Sequence, residues 1–248
     1  MKKQKLLFVP FLLSMGIGLL SCNFDNGGNV SIYPSTLAVV EYDMTMGGTV
    51  ICTPYGIFAS PSLTTTYYPG DCIFIQQFTI DIDNQPSTQY YTASDIYVLE
   101  SINQSYLVTS NKVEIGDYTL PLSDADGITS VFYKGKFFVG ANSTDKKPDY
   151  RLIYNSAEEE TNGIKNLYLL AKPSSNTSAS ITTSIHAFDL LHLIHSYGRD
   201  TTITVPGALE STNFRYIKAN LNYLSEISGV GEPVYKKVPN PFEIYIFR

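Results

Sequence analysis

His186, His192 and His195 are the three histidines of the chain and fall within ten residues of one another. On a helix, His192 and His195 would share a face, a spacing that can bind Zn²⁺, but a zinc site draws further ligands into convergence. His186 precedes them on a strand-like run, so surface or capping histidines are expected and no metal site is assigned. Asp124-Ala125-Asp126-Gly127 looks like the start of a calcium loop. Ile128 and Thr129 follow where oxygen ligands would be needed, so an acidic turn is expected instead. Asp81 and Asp83, with Asn84 beside them, could pair carboxylates for glycoside hydrolysis, yet strand alternation puts both on a polar face. No Gly-x-Ser-x-Gly, His-Glu-x-x-His, phosphate-binding loop or dinucleotide fingerprint is present. No catalytic or cofactor-binding residue is assigned, and an enzyme is not expected.

The cysteines carry more information. Lys2, Lys3 and Lys5 precede an apolar run from Leu6 to Leu20 that is interrupted by Pro10, Gly16 and Gly18. That run is short and broken for a helix crossing ~30 Å of hydrocarbon, and it suits a cleaved export signal over residues 1–21. The run ends in Leu19-Leu20-Ser21-Cys22, which resembles the bacterial lipobox. The resemblance implies that the Cys22 thiol takes a diacylglycerol and that cleavage before it frees an amine for a further acyl chain. One chain binds a bilayer marginally and two or more hold firmly. Residues 22–29, rich in Asn and Gly, read as a polar tether. Cys52 and Cys72 remain as a pair in an oxidising compartment. They either form one disulfide or stay as two buried thiols.

Three of the 17 Lys and Arg lie in the signal and all 23 Asp and Glu lie beyond it, so the mature chain carries a net charge of −9. An acidic chain without a basic run is a poor ligand for nucleic acid, whose binding rests on phosphate neutralisation. With 19 Tyr, 13 Phe and no Trp, and many Thr, Ile and Val, the composition is that of strands.

A period of two pervades the chain. Phe74, Phe78, Ile80 and Ile82 alternate with Gln77, Thr79, Asp81 and Asp83, and Cys72 is expected on their face. Val131, Tyr133, Phe137 and Val139 form a second row, and Ile217, Ala219, Leu221 and Tyr223 a third. The C-terminal run Phe242–Phe247 is apolar on both faces and should be central or covered. Helix is expected over Asp189–His195, capped by Asp189 and stopped near Gly198, and more weakly over Ser156–Asn162. A polar stretch at Val108–Lys112 suggests a boundary. The expected fold is all-β: a small OB-like β-barrel over residues 30–107, then an antiparallel β-sandwich over 112–248.

Gly47-Gly48-Thr49-Val50, Pro69-Gly70-Asp71 leading into the Phe74–Asp83 strand, and Ile185–Leu191, together with the lipobox, resemble the NigD-like lipoproteins of Bacteroides-type bacteria. The resemblance covers nearly the whole mature chain. It implies an OB-type barrel followed by a β-sandwich, and a non-enzymatic accessory, binding or immunity-type role in the cell envelope. It supplies no catalytic residues. The expected location is the outer membrane, lipid-anchored on its periplasmic or cell-surface face, with a protein or glycan partner. A fimbrial or adhesin-like subunit that exchanges strands and a glycan-binding or glycan-processing surface protein are the rival readings.

Overall fold

The computed structural model describes residues 30–44, 47–60, 66–81, 91–158, 162–174, 177–204 and 211–248. The signal, Cys22, the tether, Ile82, Asp83 and Asn84 lie outside the described residues.

The first part is built from β1 (Val30–Tyr33), β2 (Thr36–Asp43), β3 (Gly48–Thr53), β4 (Gly56–Ala59), β5 (Cys72–Asp81) and β6 (Tyr91–Tyr106). Neighbours run in the order β5-β2-β3-β4-β6, and a β5–β6 pairing closes the ring. All ring pairings are antiparallel except β4 with β6. Numbered within the barrel, that is the 1-2-3-5-4-1 ring of a five-stranded Greek-key barrel, the OB architecture. Ala38, Val40, Ile51, Phe58, Ile73, Ile75, Phe78, Ile80 and Ala93 fill its interior, as the taper of a small barrel requires.

The row predicted along β5 divides. Cys72 and Phe74 face outward, whereas Phe78 and Ile80 face into the barrel. The register of β5 against β6 shifts between Phe74 and Ile75 and again between Ile75 and Gln77. The first leaves an extra residue on β6, Leu99, and the second leaves one on β5, Gln76; it is Gln76 that flips the β5 side chains after it to the other face.

The remaining elements are β7 (Val108–Ser110), β8 (Asp124–Ile128), β9 (Lys136–Asp145), β10 (Asp149–Asn155), β11 (Lys165–Lys172), β12 (Thr177–Asp189), α1 (Leu191–Tyr197), β13 (Arg199–Thr204), β14 (Ser211–Ile227), β15 (Pro233–Lys237) and β16 (Phe242–Phe247). One layer is β12-β9-β8, which continues the barrel sheet because β12 pairs with the far end of β6. The other is β13-β14-β11-β10-β7, with β15 and β16 along β14. Phe137, Val139 and Phe188 from one layer meet Leu152, Leu167, Leu169, Ile217, Ala219 and Leu221 from the other. This is the expected sandwich, with parallel pairings at β6–β12, β7–β10 and β11–β14 interrupting the antiparallel pattern.

Local chemistry explains the exceptions to the sequence reading. Val131–Tyr133 is a 3-10 turn, not a strand, and Lys134 and Gly135 follow it with φ of 49° and 85°. Two left-handed residues in succession end any extended run. Asp124–Gly127 lies within a strand paired to β9, so its carboxylates splay across a sheet rather than converge. Gly127 is needed there because a Cβ would stand 2.5 Å from the Phe137 ring. Ser156 and Ala157 form a turn where a helix was expected. The helix α1 does form: the Asp189 carboxylate accepts from the Leu191 N–H at 2.9 Å, and Gly198 closes onto the Ile194 carbonyl. β16 pairs with β14 of its own chain and is packed against the 3-10 turn and α1, so this strand is already partnered.

Candidate functional site

OB barrels take ligands on the outer face of their second and third strands. Here those strands are β3 and β4, and their outer face is closed. Val50, Cys52 and Ile57 pack with Leu37, Val39, Cys72 and Ile102 against Tyr133, Phe138 and Ala187 of the sandwich. The Tyr133 hydroxyl donates to the Leu37 carbonyl at 3.2 Å, and its ring meets Phe138 edge-on at 4.9 Å. The barrel also has no Lys or Arg: none occurs between Lys5 and Lys112, while residues 30–107 hold seven Asp and Glu. A phosphate backbone is held by neutralising Lys and Arg, which the strands of this covered OB face do not supply.

Cys52 and Cys72 are buried in this junction as free thiols, which corrects the disulfide alternative. Val39 on β2 is opposite Cys52 on one side and Cys72 on the other. The two cysteines are therefore two strand spacings apart, about 9–10 Å, and a disulfide tolerates a Cα separation of no more than about 7 Å. Burial pushes both thiols up to about 12, so neither is a nucleophile at neutral pH.

The histidines do not converge. His192 and His195 are exposed on α1, whereas His186 is buried on β12. Among the described residues no group of three His, Cys, Asp or Glu is placed to hold a metal ion. His186 Nε2 lies 3.0 Å from Ser105 Oγ, the spacing of a nucleophile and its base. Burial, however, lowers the imidazole to about 4 against the opposing influence of Asp149. At neutral pH the ring is a weak base, packed on Phe188 and edge-on to Tyr150. The pair ties β6 to β12. Asp145 is another buried polar group held by structure. Burial would raise its carboxyl, but hydrogen bonds from Ser174 and the Lys147 N–H outweigh that and lower it.

Two concavities flank α1. At its N-terminal end Tyr106, Leu107, Thr109, Asp189, Leu191, His192 and Leu193 line a cleft of about 310 Å³, the lower end of the range that holds a small ligand. Asp189 is fixed there by Lys136 at 2.9 Å, with both side chains largely buried, and by the Leu191 N–H that donates to it. Lys136 also reaches Gln104 Oε1 at 3.2 Å. At the C-terminal end Asn162, Gly163, Tyr197, Arg199, Tyr216 and Lys218 border a notch of about 40 Å³, room for a functional group rather than a molecule. Behind it the Lys165 ammonium sits 4.3 Å over the Tyr197 ring. A side chain at Gly163, whose φ is +72°, would strike the Arg199 guanidinium. The sequence marked Asp189 only as a helix cap. No local pattern links it to Tyr106 and Thr109, because the cleft forms where β6 leaves the barrel.

Residues 28–97 match the family model of the lipoprotein OB domain. No curated protein matches the chain. Among solved structures, an uncharacterised protein from Parabacteroides merdae aligns at 17% identity and TM-score 0.62, over 87% of this chain and 99% of its own. A candidate lipoprotein from Bacteroides fragilis aligns at 14% identity and TM-score 0.51, over 88% and 98%. A NigD-like immunity protein from Bacteroides caccae aligns at 13% identity and TM-score 0.46, over 88% and 97%. At these identities the likeness is one of fold. The chain thus carries a lipoprotein OB domain over residues 28–97 and continues into a second β domain, the two-part all-β architecture that its resemblance to NigD-like lipoproteins implies.

Proposed function

We propose that this is a non-enzymatic accessory or binding lipoprotein of the cell envelope, of the NigD-like, immunity-type kind. Its acyl chains on Cys22 would hold it at the outer membrane. The division into an export signal (1–21), a tether (22–29), a barrel (30–107) and a sandwich (112–248) belongs to the same reading. The observation that carries it is the closed OB face on β3 and β4 in a chain whose Leu19-Leu20-Ser21-Cys22 resembles the bacterial lipobox. With the barrel face spent on the sandwich, capture of a partner falls to the cleft of about 310 Å³ beside α1. Its lining of Tyr106, Leu191, Thr109 and Asp189 combines apolar surface with a few fixed polar groups, the usual make-up of a binding site.

The test is membrane fractionation and protease shaving of intact cells that carry the native chain or Cys22→Ala. The native chain should sediment with outer membrane and the variant should be released. Retention of Cys22→Ala in the membrane would overturn the anchor. Digestion of the native chain without lysis would put it on the cell surface, and protection until lysis in the periplasm.

A further inference from the structure

We infer that the tether-side rim of the barrel is a membrane-contact surface, seated on zwitterionic phospholipid beside the anchor; the inference rests on the lipid-anchor reading. The barrel has two unlike ends. β6 rises from Tyr91 through sixteen residues to Tyr106 and pairs with β12 at its far end, so the sandwich sits at that end. Val30, where the tether enters, pairs with Asp81 at the opposite end. The start of β6 and the turn between β3 and β4 lie at this same end: the Tyr33 ring packs on Tyr55 at 5.3 Å and on Phe58 at 5.9 Å, and Phe58 is opposite Tyr91.

This rim exposes apolar surface that nothing in the described chain covers. Ile32 is 65% exposed, Tyr91 51% and Tyr55 42%. The length of chain outside the structure says what can reach it. Seven residues, 23–29, separate the acylated Cys22 from β1 at Val30, and the steps between the two span no more than about 29 Å. The rim is therefore confined near the bilayer surface, at a high effective concentration, so a few weak contacts suffice to seat it. Tyrosine, with an apolar ring and a polar tip, is enriched at the headgroup level. Charge selects the lipid. Asp81 and Asp95 lie on β5 and β6, and the barrel has no Lys or Arg, so an anionic surface repels it while a zwitterionic one does not.

The absence of Trp from the chain makes the test direct. The lipidated mature protein carrying Ile32→Trp, Tyr55→Trp or Tyr91→Trp is reconstituted in phosphatidylcholine vesicles with brominated acyl chains. Val230→Trp, in the sandwich, serves as the control. Emission of the rim tryptophans should shift to the blue and be quenched, Val230→Trp should be unaffected, and phosphatidylglycerol should reduce the quenching. Unquenched rim tryptophans in protein that floats with the vesicles would overturn the membrane seat and leave the anchor standing. Failure to float would overturn both. A blue shift that grows with protein concentration in detergent without vesicles would assign the rim to a second copy instead, and would also overturn the proposal.

Discussion

The barrel and the sandwich are both all-β, yet they distribute charge and burial in opposite ways. Residues 30–107 carry seven acids and no Lys or Arg, whereas residues 112–248 carry 14 Lys and Arg against 15 Asp and Glu. The sandwich balances its surface with pairs such as Lys218–Glu243 and Arg248–Asp200. It also encloses its core between its own two layers. The barrel fills its interior and then uses a second apolar face, outside β2, β3 and β5, to grip the sandwich. The difference teaches that the outer face of the barrel serves as a foundation for the sandwich. One end of the barrel joins it to the sandwich, and at the other no described residue covers Ile32, Tyr55 or Tyr91.

The covered end can be broken by one residue. Phe138 is fully buried in the junction, and Phe138→Ala should cost about 3–5 kcal/mol of stability through lost transfer energy and the cavity left behind. Tyr91→Ala at the open rim should change stability by no more than about 0.5 kcal/mol. Denaturant titration followed by two probes, one in each part, measures both. Coincident transitions with the large loss confined to Phe138→Ala would sharpen the contrast. Equal effects at the two ends would erase it.

Acid should loosen the connection that His186 makes between β6 and β12. Its folded value is lowered from 6.5 to about 4 by burial, so between those pH values the unfolded chain binds a proton that the folded chain refuses. The stabilisation is fully present above about pH 6.5 and is lost as pH falls toward 4. His186→Gln should flatten that part of the stability profile. A profile identical to that of the native chain would show that the imidazole does not titrate with unfolding.

The smallest effect concerns the thiols. Cys52 and Cys72 should stay unreactive to a thiol reagent at pH 8 in the folded protein and react as two equivalents in denaturant, since burial holds both near 12. Mass spectrometry without reduction should find both free. An intact Cys52–Cys72 bond would contradict the register of β2 between them.

Much of this was legible in the sequence because it is local. Ile217, Ala219, Leu221 and Tyr223 share one face of β14 as alternation requires, and α1 begins beside Asp189 and stops at Gly198. The row along β5 was misread because the bulge at Gln76 depends on how β6 pairs with β5, which no pattern within β5 encodes. The candidate site was less legible still. Asp189 was visible as a cap, but its pairing with Lys136 and its place beside Tyr106 arise from contacts across 53 and 83 positions of sequence.

Alternation, turn residues and the cation-free barrel are written in the order of residue types, since each depends on near neighbours or on composition alone. Strand order, the face on which each cysteine points, the separation of Cys52 from Cys72 by β2, and the closure of the OB face were decided in three dimensions. Alternation gives a strand two faces, but only its pairing partners and the layer packed above it determine which face is covered and by what.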